Sequence, residues 1–163
     1  QRTMTHRNAE TRQRFYTAFS QLDHATMAQC YAADARFDDE AFSLRGQAQI
    51  AGMWRMLCSA AQKSPPGTWR IEFSDIHADD RGGQAHWEAH YVFSATGRPV
   101  HNIIDARFTF TPEGLIAGHR DRFGFWRWAR QALGLPGLLL GWSPSLKRKV
   151  RSTAAANLKK FLG

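Results

Sequence analysis

Between residues 69 and 123 the chain alternates apolar and polar residues with a period of two, broken only by turns of a few residues. Trp69, Ile71 and Phe73 oppose Arg70, Glu72 and Ser74. After the turn-like DDRGG at 79–83, residues 84–95 set Trp87, Ala89, Tyr91 and Phe93 against His86, Glu88 and His90. ATGR turns the chain into 99–111, with Asn102, Ile104, Ala106, Phe108 and Phe110 on one side, and TPEG turns it into GLIAGHRDRF. Alternation of this kind reads as half-buried strands. Connections this short cannot hold the crossover of a parallel return, so the four strands are antiparallel neighbours.

The pattern before residue 69 is helical. Residues 8–22 repeat Phe15, Phe19 and Leu22 on one face, with Asn8 placed to cap the start. Asp23 is expected to cap a second helix, HATMAQCYAAD, in which Met27 and Tyr31 lie one turn apart. ARFDDE at 35–40 reads as a short strand with Phe37 and Asp39 on one face. A third helix follows Gly46, presents Ile50, Met53, Trp54 and Leu57, and stops before SPPG at 64–67. Three helices followed by a curved meander predict an α+β fold, the helices covering one concave face. After the meander, FWRWARQALG reads as a helix stopped by Gly134 and Pro136. Ser143 and Pro144 then open a last helix that repeats Leu146, Val150, Ala154, Leu158 and Phe161.

Length and composition narrow the function classes. With 163 residues, 43% of them apolar, the chain fits one domain with a real core. Cys30 and Cys58 form no CxxC pair, and both fall in predicted helices, so reduced buried thiols and a cytoplasmic location are the expectation. QRTMTHRNAETRQ has no signal-peptide character, and the apolar run LPGLLLGW at 135–142 is far shorter than the ~20 residues that span a bilayer. A net charge of +8 raises nucleic acid and anionic membranes as partners. No zinc-finger, RNP or KH motif accompanies that charge, so nucleic acid is not expected; the basic last helix keeps peripheral membrane contact open. His86, His90 and His101 lie on adjacent strands, on the face away from the concavity, and no HxxxH or Cys/His cluster supports a metal.

Taken in order, AFSQLD, YAADARFDD, the Gly46-led helix and the closing FTFTPEGLIAGHRD resemble the nuclear transport factor 2-like superfamily, within it the SnoaL-like polyketide cyclase and ketosteroid isomerase branch. The resemblance covers about residues 8–125. It implies a cone, a curved antiparallel sheet wrapped round a pocket with the first helix across its open side. It also implies a cone domain over 1–125, with 126–163 a helical extension on the same domain acting as lid or dimer element. A homodimer, no cofactor and a hydrophobic, carbonyl-bearing small molecule in the pocket follow from the same likeness. Family members place acidic residues at two pocket positions. One matches Asp39 in DARFDD, which in the isomerases moves a proton between carbons. The other matches Asp121 in the pattern G-x-I-x-x-x-x-D, which in the cyclases removes a proton next to a carbonyl. Either task needs a carboxyl whose pKa is raised toward neutrality. There are departures as well. Phe15 stands where the isomerases have a donor tyrosine, with Tyr16 beside it turned elsewhere, and Ala106 stands at the second donor's place with Asp105 on the opposite face. Steroid isomerisation is therefore not expected, and the arginine-flanked aspartate pair of an epoxide hydrolase of this fold is not evident.

His119 and Asp121, two apart on a strand, share a face. In one reading Asp121 is a base that His119 orients, or His119 polarises a carbonyl; in the other they bond each other near the rim. Asp39 is either a pocket acid or a local cap. Asn102 and Tyr91 are candidate donors to a substrate oxygen, while Phe19, Trp54, Trp87, Tyr91 and Phe108 are pocket wall or plain core. A cofactor-free enzyme, a ligand-binding module and a protein-interaction module all remain open, because one fold hosts all three.

Overall fold

The alternating runs pair as their short turns require. In the computed structural model, which describes residues 4–78 and 82–163, the order is α1 (Met4–Ser20), α2 (His24–Gln29), β1 (Tyr31–Asp38), β2 (Ser43–Arg45), α3 (Gln47–Lys63), β3 (Arg70–Ala78), β4 (Gly82–Phe93), β5 (Arg98–Phe110), β6 (Ile116–Phe123), α4 (Phe125–Leu133), α5 (Leu135–Leu140) and α6 (Pro144–Leu162). Most of the turn expected at 79–83 lies outside the described residues. One curved, unclosed sheet runs β2-β1-β6-β5-β4-β3. The four-stranded meander is antiparallel, and β1 extends it by pairing parallel to β6.

Register decides what faces inward. Trp87 pairs with Ile104, Ala89 with Asn102 and Tyr91 with Val100 across β4 and β5, while Ala106 pairs with Asp121 and Phe108 with His119 across β5 and β6. Side chains directly opposite share a face, so these residues form one continuous concave surface. Against it α1 lays Phe15, Tyr16 and Phe19, and α3 lays Ile50, Met53 and Trp54, all buried. Phe19 meets Trp54 and Trp87 edge to face, 4.9 Å and 5.3 Å between centroids, an arrangement that aromatic quadrupoles favour, while Tyr16 stacks on Phe73. The cone is thus filled by aromatic side chains.

Four local expectations are corrected. Asn8 caps nothing: α1 begins at Met4, and Asn8 lies buried within it. The second helix stops at Gln29, and Tyr31 opens β1 instead of continuing it, because Ile116 pairs with Tyr31 and donates its N–H to the Cys30 carbonyl at 2.8 Å. Tertiary pairing here overrides local propensity. Strand β1 ends at Asp38, so Asp39 turns the chain by accepting the N–H groups of Ala41 (2.7 Å) and Phe42 (2.6 Å), which leads into the unforeseen β2. Leu57 does not share the buried face of α3 but is exposed.

The tail closes the wide end of the cone. Trp128, Ala129 and Ala132 of α4 pack on Val100 with Tyr91, Phe93 and Phe123. Gln131 bonds both backbone groups of His101, accepting its N–H at 2.7 Å and donating to its carbonyl at 3.0 Å. Gly134, at φ 71°, ends α4 as expected, but Pro136 starts α5 where a stop was expected. Helix α5 lies directly on α4, and a Cβ added at Gly137 would fall 1.9 Å from the Ala129 carbonyl oxygen. Ser143 caps α6, accepting the Leu146 N–H, and α6 returns to α3, where Gly52 faces Leu162.

Gly137→Ala tests this packing. Alanine favours a helix over glycine by about 1 kcal/mol, yet overlap with a backbone carbonyl cannot be relieved by a rotamer change. The expected net effect is a loss of about 1–3 kcal/mol in urea unfolding.

Candidate active site

Within the aromatic packing, five side chains are joined in one chain of polar contacts. Trp54 Nε1 donates to the Tyr31 hydroxyl at 3.1 Å, and that hydroxyl lies 2.7 Å from His119 Nδ1. His119 Nε2 lies 2.9 Å from Asp121 Oδ1, to which Trp87 Nε1 also donates at 3.4 Å. Indole can only donate, so the Tyr31 hydroxyl accepts from Trp54, and the two imidazole nitrogens of His119 are paired one with Tyr31 and the other with Asp121. Both the imidazole and the carboxylate are 3% exposed or less. His119 is walled by Phe37 (5.0 Å) and Phe108 (4.3 Å). Burial holds the Tyr31 hydroxyl well above its ordinary pKa, so it serves here as a neutral donor.

Asp39 stands where the loop after β1 meets the tail. Its accessible surface is intermediate, but the surrounding protein is dense. Burial, chiefly, pushes its carboxyl up to about 7; the Asp121 charge adds to the rise, while the Phe42 and Ala41 N–H groups and Arg151 oppose it. Arg151 of α6 donates to the Asp39 and Glu40 carbonyls, each at 3.1 Å, and Lys147 pairs with Glu40. Tyr91, whose hydroxyl accepts from Trp128 Nε1 at 2.9 Å, also feels the Asp39 charge, and burial raises it to about 12. Asn102 is 6% exposed, and its amide makes no hydrogen bond among the described residues. Asp39 thus lies within electrostatic reach of both Asp121 and Tyr91, while Asn102 stands opposite Ala89 on the concave face. Phe19, Trp54, Trp87 and Phe108 lie together in the packed interior.

Sequence reasoning missed Tyr31, Arg12 and Tyr16. Arg12 is wholly buried beneath Phe108, 5.8 Å from ring centroid to guanidinium, with Nη1 on the Gln84 carbonyl and, among the described residues, no partner for Nε or Nη2. Burial lowers its pKa to about 10. Tyr16 does not turn away: it is buried, 5.4 Å from the Phe73 ring, with an unpartnered hydroxyl whose pKa is raised by burial and further by Asp121. Spacing carried a signal for both, since Arg12 lies three and four residues before Phe15 and Tyr16 on the same helical side.

Elsewhere, Asp105 faces outward and pairs with His86 at 3.0 Å, and Glu88 bridges His86 and His101 on the convex face. Among the described residues no His, Cys, Asp or Glu group is placed to hold a metal. Burial raises the Cys30 and Cys58 thiols to about 11 and about 12, which leaves both un-ionised at neutral pH. Two shallow, open surface hollows are present, about 360 Å³ between α1 and α2 and about 370 Å³ lined by Thr68, His90, Tyr91, Val100, His101 and Gln131.

Comparison with known proteins agrees with this architecture. The model of the SnoaL-like domain matches residues 13–119. No protein of curated function matches the chain. Among solved structures, an LEH-like epoxide hydrolase of M. tuberculosis superposes with a TM-score of 0.62 at 19% identity, covering 85% of this chain and 98% of that one. A provisionally assigned polyketide cyclase of Xanthomonas campestris pv. campestris gives 0.62 at 20% identity, over 79% and 98%. A provisionally assigned isomerase from Bacillus subtilis gives 0.63 at 15%, over 82% and 96%. At these identities the likeness is one of fold.

Two measurements probe the site. Tyr31→Phe removes the hydroxyl between Trp54 and His119 and strands two buried groups, so it should cost about 2–4 kcal/mol by urea unfolding. Asp39 titrates between its ordinary 3.8 unfolded and about 7 folded. Across that window the native state holds a proton that the unfolded chain has lost, so stability falls as pH rises. Asp39→Asn keeps the turn-forming oxygen and removes the buried charge. It should stabilise the protein by about 1–3 kcal/mol near pH 8, allowing for partial screening, and leave it unchanged near pH 4.

Proposed function

The chain belongs to the SnoaL-like domain family, and we propose that within it this protein is a cofactor-free general acid–base enzyme acting on a hydrophobic, carbonyl-bearing small molecule. One observation carries the reading: two carboxyls from separate elements lie within electrostatic reach of each other, and the partly accessible one, Asp39, sits at about 7. A proton carrier works best with a pKa near the operating pH, because it must both take the proton and return it.

In this scheme the Asp39 carboxylate takes a proton from the carbon next to the carbonyl; the C–H electron pair forms a carbon–carbon double bond while the C=O π pair moves onto oxygen, giving an enolate. The unbonded Asn102 amide is the neutral donor suited to that oxygen, with the Tyr91 hydroxyl beside it. Asp121 is a positioning residue, held by His119 and Trp87, whose charge adds to the rise that burial gives Asp39. The enolate, where it is conjugated with a further double bond, then recovers the proton from Asp39 at the far carbon, an isomerisation; or it attacks a second carbonyl carbon of the same molecule, whose π pair moves onto oxygen and takes the proton from Asp39, a cyclisation.

The filled interior favours one rival, a non-catalytic module that uses the same end of the cone to hold a ligand or a protein. Proton exchange separates them. With β-tetralone in D₂O, NMR should show exchange of the hydrogens next to the carbonyl above the buffer rate, rising with pH through about 7. Asp39→Asn should reduce it by about a hundredfold, and Asp121→Asn should lower the apparent pKa. Binding of such ketones without any exchange above buffer would leave only the module.

A further inference from the structure

Charge and exposed apolar surface are concentrated in the same part of the chain. Residues 123–163 hold eight lysines and arginines and no acidic residue, so the preceding 122 residues, with fourteen of each kind, are neutral. Within that basic segment lies α5, whose Leu135, Leu138, Leu139 and Leu140 are 65%, 46%, 59% and 51% exposed, followed by Trp142 at 72%. Trp126 of α4, also exposed, adjoins them through a hydrogen bond from its Nε1 to the Leu138 carbonyl at 3.1 Å.

The leucines are held outward by a built contact. Gly137 and Gly141 turn the bare side of α5 onto α4: a Cβ at Gly137 would meet the Ala129 carbonyl, and one at Gly141 would lie 2.8 Å from Trp126 Cδ1. With that side taken by backbone contact, the large side chains have only solvent to face. Trp142 Nε1 donates to the Leu139 carbonyl at 2.9 Å, so its polar atom is satisfied within the chain and the ring presents apolar surface. Cations flank this tip. Arg130 lies 4.3 Å over the Trp126 ring, Arg127 is exposed on the same helix, and Arg148 and Lys149 are exposed in the opening turns of α6.

We propose that α4, α5 and the start of α6 form a docking surface for anionic phospholipid membranes, with the α5 leucines and Trp142 entering the headgroup–acyl boundary and the flanking arginines and lysines meeting lipid phosphates and carboxylates. Large exposed apolar patches mark interaction sites, and a cationic rim selects an anionic partner. A second copy of this chain fits poorly, since a symmetric contact would set one all-cationic segment against another. Insertion is shallow: α5 has six residues, and no helix among the described residues is long and apolar enough to cross a bilayer.

Co-sedimentation of the full chain tests this, using phosphatidylcholine vesicles with and without about one third phosphatidylserine. The expected result is at least about tenfold stronger partitioning onto the anionic vesicles, lost at high salt. Leu139→Ser with Trp142→Ser, and separately Arg127→Glu with Arg130→Glu, should each weaken it about tenfold. All four positions are exposed, and an unchanged circular dichroism spectrum establishes that the fold is kept. Equal partitioning onto both vesicles, none onto either, or indifference to both variant pairs overturns the proposal. So does a stable dimer in solution that Leu139→Ser with Trp142→Ser converts to monomer without any vesicle binding.

Discussion

Polar atoms are costly among packed aromatic rings unless they find partners; the chain from Trp54 through Tyr31 and His119 to Asp121 and Trp87 partners its own members, whereas Arg12 Nε and Nη2 and the Tyr16 hydroxyl find none among the described residues. Its members come from α3, β1, β6 and β4, so one series of hydrogen bonds fixes how the helical layer, the parallel edge and the meander sit together. An unmade bond in such a place costs more than a made one gains. The network therefore selects the relative placement of these elements as much as it strengthens it. It also holds the Asp121 carboxylate at a fixed position, from which its charge acts on Asp39.

Asp39 illustrates how function and stability oppose each other here. A carboxyl raised toward neutrality is a strained occupant of its site, since the same burial that tunes the proton carrier disfavours its ionised form. Part of that tuning comes from α6 and part from the loop after β1, elements outside the meander. The tail thus does more than cover the cone's wide end: Arg151 fixes the backbone of the turn that presents Asp39. Fold likeness to a hydrolase, a cyclase and an isomerase cannot select a reaction. The selection lies in side chains such as Asn102 and Asp39, which the scaffold only positions.

The meander was legible because period-two alternation and short turns leave few alternatives, and the same alternation put His119 and Asp121 inward and Asp105 outward. Covalently local signals also located the Asp23 and Ser143 caps. Tyr31 was not legible: its place depends on pairing with Ile116, far along the chain, and on a register shift between Tyr31 and Arg36 that no local pattern records. Arg12 was hidden for a different reason, since an arginine on an amphipathic helix is normally solvated. The environment of Asp39 depends on Asp121 and Arg151, both distant in sequence. Glycine in LPGLLLGW read as a turn former, whereas Gly137 and Gly141 are contact surfaces.

The pairing of β1 with β6 has a consequence in time. Tyr31 and His119 are 88 residues apart, so the first strand leaves the ribosome long before its partner exists. During synthesis α1 and β1 carry their aromatic side chains with no sheet to cover them, and Tyr31 has no imidazole to bond. Contacts of such long range close late and slow the search for the native state. Completion of this domain therefore waits on β6, and the chain folds as a whole after its last strand emerges rather than growing from its N-terminus.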